Sequence, residues 1–368
     1  MARFFAASPP GLEALLAREL GELGLTAPRR YVKAGGPEGG IAFEGGREAL
    51  YRANLELRCA ERVLVELARF KAHSFADLET SASRVAWDQV LPRAGALAVR
   101  ADCRRSKLYH ERAVAERLAR VAGRRLAAAA DAPAARLHAE LVDDVCTLFL
   151  DSSGKPLHRR GYRLQTAKAP LRETLAAALL LASGWDAASP LLDPFCGSGT
   201  IAVEAALMAR RMAPGRARRF AFETWPDFDA PLWQRVRAQA RAKERPAPAA
   251  IAASDRDAGA IEAARANAGR AGVAESIAFS CRAVSAAEPP PGAGFLVTNP
   301  PYGARVRGGA DARDVYAQLG KLLRGACAGW RATLLCPGVD LARATGLRAA
   351  AGFSTKNGGL DVRIVSLA

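Results

Sequence analysis

The sequence lacks paired cysteines, long apolar runs and enough acidic residues to balance its cations, and each shortage excludes something. Its seven cysteines, Cys59, Cys103, Cys146, Cys196, Cys281, Cys327 and Cys336, are scattered and include no C-x-x-C pair. A zinc site or a disulfide framework is therefore not expected, and the odd count suits a reducing cytoplasm. No apolar stretch approaches the roughly 20 residues that a membrane span requires. Met1–Ala7 lacks the basic region, long apolar segment and cleavage site of a signal peptide. Acidic residues number 37 against 53 lysines and arginines, a net charge of +16 over 368 residues. A surface so basic attracts polyanions, and arginine, the commoner cation, offers a planar fork suited to phosphate. A GC-rich genome that encodes arginine and alanine freely is the plainer source of the same composition.

Half of the residues are hydrophobic, enough to bury a large core, and the length predicts two or three domains. Residues 1–48 read as strand, helix, strand, with Leu12, Leu15, Leu16, Leu20 and Leu23 at helical spacing. Residues 49–153 form a second α+β unit. It has a helix over Ala49–Ala68, a strand at Leu97–Ala101 and a basic helix over Glu111–Leu126. Two strands, Leu137–Val142 and Cys146–Asp151, follow, joined by a turn at Asp143-Asp144. The arginines of the basic helix are either a solvated face or an RNA contact. Residues 154–169 are a polar, cationic connection. Arg159, Arg160, Arg163 and Lys168 place cations beside the ring of Tyr162, a mixture that holds phosphates and stacks on bases, though an ordinary linker has the same composition.

From residue 170 helices and strands alternate, which predicts a doubly wound, mostly parallel sheet. Residues 213–248 interrupt the alternation. Their arginines, prolines and tryptophans (Trp225, Trp233) suit either an insertion closing over a substrate or ordinary core packing.

Two motifs carry chemistry. The first is Asp193-Pro194-Phe195-Cys196-Gly197-Ser198-Gly199-Thr200, an apolar strand ending in a glycine turn that enters a helix. Glycines let a backbone approach a ligand closely, and a helix N-terminus favours a carboxylate such as that of S-adenosylmethionine (SAM). No lysine follows the last glycine and a third glycine is missing, so neither a Walker loop nor the dinucleotide fingerprint is present. One strand later, Asp255, followed by Arg256, stands where a carboxylate can accept both hydroxyls of a ribose. Asp257 is the second choice for that role, and it is better placed to cap the helix beginning near Ala258. The second motif is Thr298-Asn299-Pro300-Pro301-Tyr302-Gly303. The prolines stiffen the loop and free carbonyls to face a ligand. The side-chain oxygen of Asn299 and the carbonyl of Pro300 can accept both hydrogens of an aromatic amine and aim its lone pair at a methyl group, by positioning and electrostatics rather than by a strong base. Tyr302 can stack on an extruded base.

These motifs, with Leu57-Arg58-Cys59-Ala60-Glu61-Arg62-Val63, His158-Arg159-Arg160-Gly161-Tyr162-Arg163 and Lys356-Asn357-Gly358-Gly359-Leu360, resemble the THUMP-domain RNA methyltransferases, most closely the guanine-N2 methyltransferases of 23S ribosomal RNA of the RlmL type and their short YpsC-like relatives. The resemblance implies a ferredoxin-like part over 1–48, a THUMP domain for RNA over 49–153, and a Rossmann-like class I methyltransferase domain over 170–368. It also adds Glu173 and Thr174 to the SAM pocket and Arg305 to the RNA-facing cations. Two departures stand out. Ala283 occupies the place where relatives often carry an acid near the adenine, which implies weaker adenine binding. The long relatives carry a second methyltransferase domain, whose activity is expected to be missing here. Transfer RNA as substrate, adenine-N6 chemistry and a non-catalytic RNA-binding assembly factor are the alternatives. SAM binding separates the last of these from an enzyme.

Overall fold

The computed structural model describes residues 1–25, 39–128, 134–164, 171–302, 312–357 and 359–368. The chain forms two compact units. One comprises Met1–Pro9, Leu16–Leu157 and Arg219–Ala238; the other comprises Pro10–Leu15, His158–Arg218 and Gln239–Ala368.

Up to Asp151 the chain runs β1 (Ala2–Ala7), α1 (Glu13–Glu22), β2 (Gly40–Gly45), α2 (Arg47–Glu56), β3 (Arg62–Lys71), α3 (Phe75–Ala82), α4 (Trp87–Val90), β4 (Leu97–Arg104), α5 (Glu111–Val121), β5 (Ala135–Val142) and β6 (Val145–Asp151). One six-stranded sheet, ordered β2-β1-β3-β6-β5-β4, runs across the division expected at residue 48. The helix expected over 49–68 stops at Glu56, and its second half is the central strand β3, paired with β1 and β6. Leu50, Leu57 and Leu64 recur every seven residues and imitate a helical stripe. Leu57 turns to extended backbone, and the apolar run Val63-Leu64-Val65 suits a strand with neighbours on both sides. The Asp143-Asp144 turn is present, both residues taking positive φ (51° and 60°), the geometry of the tightest hairpins.

Leu137, Ala139, Leu141, Leu148 and Leu150 pack with Leu78, Val114 and Leu118 of α3 and α5. The arginines of α5 are largely engaged: Arg112 pairs with Glu116 at 2.9 Å and Arg117 with Glu79 at 2.6 Å. The tryptophan-rich stretch is part of this unit's core. Phe222 stacks on Tyr51 with ring centroids 4.5 Å apart, Trp233 meets Phe222 edge-on at 5.1 Å, and Arg47 pairs with Asp227 at 2.8 Å. Core packing, and not a substrate lid, is what the two tryptophans do.

The remaining elements are α6 (Glu173–Ala182), β7 (Leu191–Asp193), α7 (Thr200–Ala209), α8 (Ala230–Ala242), β8 (Ile251–Asp255), α9 (Ala258–Ala271), β9 (Ile277–Cys281), β10 (Phe295–Thr298), α10 (Ala312–Arg324), β11 (Arg331–Cys336), α11 (Val339–Arg343), β12 (Ala349–Asn357) and β13 (Leu360–Leu367). Apart from α8, most of which belongs to the first unit, they build the doubly wound sheet, ordered β12-β13-β11-β10-β7-β8-β9. β11, β10, β7, β8 and β9 are parallel, and the antiparallel pair β12–β13 closes one edge. Helices α6 and α7 are apolar almost all round and buried. The strand order reverses direction between β7 and β10, which puts a ligand crevice at their carboxyl ends.

Candidate active site

β7 lies between β8 and β10, so Asp193, Asp255 and Asn299 arrive side by side at the carboxyl ends of three neighbouring strands. The turn after β7 is built for close approach. Gly197 and Gly199 take positive φ (51° and 82°), and a Cβ on Gly199 would stand 2.9 Å from that of Ala264 on α9. Any side chain there strains the backbone and pushes the loop off α9. Gly199 N donates to the Cys196 carbonyl at 2.8 Å, and Cys196 N donates to that of Ser254 at 3.0 Å. Asp255 Oδ2 accepts the Gly197 amide at 2.9 Å, and its Oδ1 accepts that of Asp257 at 3.1 Å. Each oxygen keeps a lone pair for a further donor while the carboxylate holds the glycine turn. Asp257 caps α9 by accepting from Gly259 and Ala260, while Arg256 is exposed next to Asp255. Ala283 is exposed as well, and the neighbouring Arg282 amide donates to the Asp255 carbonyl at 2.9 Å.

Asp193 is 1 % exposed. Its Oδ1 accepts the Thr298 hydroxyl at 2.6 Å and the Phe195 amide at 3.3 Å, and its Oδ2 is buried with no partner among the described residues. Burial pushes the carboxyl up to about 7, against the pull of those two hydrogen bonds. Asn299 Oδ1 is likewise buried without a partner among the described residues. Buried acceptors are normally satisfied, so two orphans at adjacent strand ends mark where a ligand's donors belong. Pro194, Ser198 and Thr200 are buried in the turn, Phe195 and Pro301 are half-buried and Pro300 is buried. Burial also drives the Cys196 thiol well above its ordinary range.

Several expected residues have other work. Tyr302 is 2 % exposed and its hydroxyl accepts from Asn357 Nδ2 at 3.0 Å, so its ring is packed into the core. The cationic connection turns inward. Arg160, 2 % exposed, faces Glu204 Oε1 at 3.5 Å, and the Tyr162 hydroxyl donates to the same oxygen at 3.1 Å. Arg163 pairs with the buried Glu173 at 3.1 Å and donates to the Leu171 carbonyl at 2.5 Å. Arg160 and Arg163 are the counter-ions of the buried Glu204 and Glu173, and Tyr162 is a neutral donor to Glu204. Glu173 and Thr174 are buried in the first turn of α6. Arg159 is exposed. Lys168 and Arg305 lie outside the described residues.

Glu204, Asn267 and Arg270 were not singled out from the sequence, and Thr298 stood in the second motif without a role. Thr298 holds Asp193, Glu204 anchors the connection, and Asn267 with Arg270 ties that connection to the turn. Arg270 donates to the Tyr162 carbonyl at 2.7 Å and to Asn267 Oδ1 at 2.5 Å, and Asn267 Nδ2 donates to the Ser198 carbonyl at 3.0 Å. The signal for Glu204 was visible, a lone acid within the apolar helix Thr200–Ala209. Among the described residues no cluster of histidine, cysteine or acidic side chains suits a metal ion, and no helix is long and apolar enough to cross a membrane.

A doubly wound sheet with a glycine turn after its first strand, an acid after its second and an Asn-Pro-Pro-Tyr loop after its fourth defines a SAM-dependent methyltransferase of class I. Residues 160–366 match the family described as RMKL-like, methyltransferase domain, and residues 3–64 and 72–151 match the RlmL ferredoxin-like domain and the THUMP domain. The chain belongs to this family. It is 37 % identical to a putative RNA methyltransferase from Synechocystis, over 98 % of this chain and 95 % of that protein. It is also 37 % identical to the ribosomal RNA large subunit methyltransferase K/L of Syntrophotalea carbinolica, over 99 % of this chain and 53 % of that protein, so it spans about half the length of such relatives. A crystal structure of a putative methyltransferase complexed with S-adenosylhomocysteine superposes with a TM-score of 0.85, at 28 % identity, over 99 % of this chain and 97 % of that one.

Proposed function

We propose that the chain transfers the methyl group of SAM to the exocyclic N2 amine of a guanine in 23S ribosomal RNA. The buried Asn299 Oδ1 without a partner at the end of β10 carries this reading. With the Pro300 carbonyl it accepts the two amine hydrogens, which draws the nitrogen toward tetrahedral geometry and turns its lone pair to the donor. When bound, SAM would supply an electrophilic methyl on a sulfonium that leaves as a thioether, and the methylated nitrogen would lose one proton to solvent. The residues present fit that cofactor. Asp193 Oδ2 would accept from its ammonium, Asp255 would take the ribose hydroxyls, and the amides at the start of α7 would hold its carboxylate. The first unit, with its THUMP match, holds the RNA. The seven cysteines are all free, which agrees with a cytoplasmic setting.

The test is methyl transfer from labelled SAM to protein-free 23S ribosomal RNA and to transfer RNA, both lacking the modification, followed by nucleoside mass spectrometry. N2-methylguanosine in ribosomal RNA alone is the expected result. N2-methylguanosine in transfer RNA moves the substrate; N6-methyladenosine overturns the base; no product despite bound SAM overturns the reading.

A further inference from the structure

The sheet of the first unit has two unlike faces. Leu137, Ala139, Leu148 and Leu150 turn to α3 and α5. The alternate residues turn the other way, and the strand register says which of them meet. Phe5 lies opposite Leu64, Leu64 opposite Asp151, Phe149 opposite His138, and His138 opposite Arg100. That face holds a small apolar cluster, Phe5, Ala7, Leu64 and Phe149, on one side and cationic strands β4 and β5 on the other.

Between them is a cavity of about 310 Å³ lined by Phe5, Leu64, Arg62, Arg100, Arg136 and His138 among others. Its volume is at the small end of the range for ligand sites. Its chemistry is mixed in an informative way. Phe5 and Leu64 give an apolar wall. Arg62 is tied to Asp151 and to the Gly154 carbonyl, and so stiffened. Arg100 reaches Asp102 at 3.3 Å with its side chain still half exposed, and Arg136 is half-buried. Both ring nitrogens of His138 are buried without a hydrogen-bond partner among the described residues. An imidazole left so is an exception that asks for an explanation.

We infer that this cavity takes one unpaired nucleotide of the RNA substrate, its base against Phe5 and Leu64 with an edge on His138, and its phosphate on Arg100 and Arg136. Burial lowers the affinity of His138 for a proton, so the ring offers one donor and one acceptor, the pairing that a base edge presents. A duplex cannot enter such a cavity, whereas an unstacked base in a loop or bulge can. The inference rests on RNA being the substrate, and it separates recognition of the strand from chemistry at Asn299. Free nucleoside monophosphate shares the chemistry, and the test distinguishes it.

The experiment uses the full chain and fluorescence anisotropy with a labelled single-stranded heptanucleotide, a duplex of the same length, and guanosine or adenosine monophosphate as competitor. The expected result is a preference for the single strand that His138→Phe, which fills the cavity, weakens about tenfold, the worth of roughly one base contact. Arg136→Ala, at a half-buried position, weakens it about threefold and lowers the salt dependence. SAM affinity, measured by calorimetry on the same variants, stays unchanged and reports that they are folded. Undiminished single-strand binding by both variants overturns the proposal, and the reading of the active site stands. Tight binding of the monophosphate that the heptanucleotide does not match overturns the assignment to RNA. No RNA binding by the parent chain sinks the functional reading together with this one.

Discussion

Two polar strings of the second unit, Asp193–Thr200 and Arg159–Arg163, look equally functional as sequence and do opposite things. Asp193 stands at a strand end with a hydroxyl and an amide for partners, no ion pair among the described residues, and one oxygen left over. Arg160 and Tyr162 meet on Glu204, a carboxylate inside an apolar helix. What decides a polar residue's role is the group across from it. A lone buried acceptor at a crevice waits for a ligand, and a cation facing a buried carboxylate is already committed.

The comparison breaks most sharply at Arg160. Arg160→Ala strands Glu204 without its counter-ion, and the expected loss is about 3–5 kcal/mol of stability by urea denaturation. Arg159→Ala, one residue away and exposed, is expected to stay within about 0.5 kcal/mol. Equal effects would mean that the two arginines do not differ as their burial says. Removing both partners of the pair, Arg160→Leu with Glu204→Leu, is expected to recover most of the loss.

The next largest effect concerns the crevice. Asn299→Ala is expected to lower turnover about 10²–10³-fold, as loss of a preorganised polar contact to the reacting group does, while SAM affinity stays nearly unchanged. Parallel loss of both would move Asn299 from the base to the cofactor.

Asp193 makes the crevice sensitive to pH. Its carboxyl sits at about 7 in the folded chain because burial disfavours the charge. A raised carboxyl is neutral below that value, so the oxygen proposed to answer the SAM ammonium is charged only above it. SAM affinity is expected to fall about tenfold between pH 8 and pH 6, one pH unit below the midpoint costing close to a factor of ten. Calorimetry checks this. Asp193→Asn is expected to bind weakly at both pH values with little slope, and a slope kept in that variant would assign the titration elsewhere.

The sheet of the second unit was legible as an alternation of helices and strands, because each parallel strand is a short apolar run bounded by turn residues. The edge strand β12 was not, since its first half, Ala349 to Gly352, has no apolar–polar alternation. In the site, contiguous motifs were legible and partnerships were not. The glycine turn and Asn299 stand in fixed strings, whereas Glu204 lies 44 residues from Arg160 and Asn267 lies 69 from Ser198. Cations near an aromatic ring read alike whether they face solvent or a buried carboxylate. The seven-residue spacing of Leu50, Leu57 and Leu64 likewise hid a central strand behind a helical pattern.

The smallest effect tests whether the two strings are linked. The chain Tyr162 carbonyl, Arg270, Asn267, Ser198 carbonyl runs from the connection to the glycine turn, and Asn267 is fully buried. Asn267 touches a carbonyl of the turn proposed to hold SAM, so it is expected to act by holding that turn and not by contact with the reacting atoms. One net hydrogen bond is worth about 0.5–1.5 kcal/mol, so Asn267→Ala is expected to raise KM for SAM about three- to tenfold. At saturating SAM the turnover should return to that of the parent, because Asn299 and the base are untouched. A residue that only stabilised the fold would lower melting temperature and leave KM alone at a temperature where the chain is folded. Arg270→Lys, which keeps the charge and loses the second branch of the fork, should fall between the parent and Asn267→Ala. A KM that stays at the parent value in both variants would show that the turn is held by Asp255 and its own amides, and that the connection ends at Glu204.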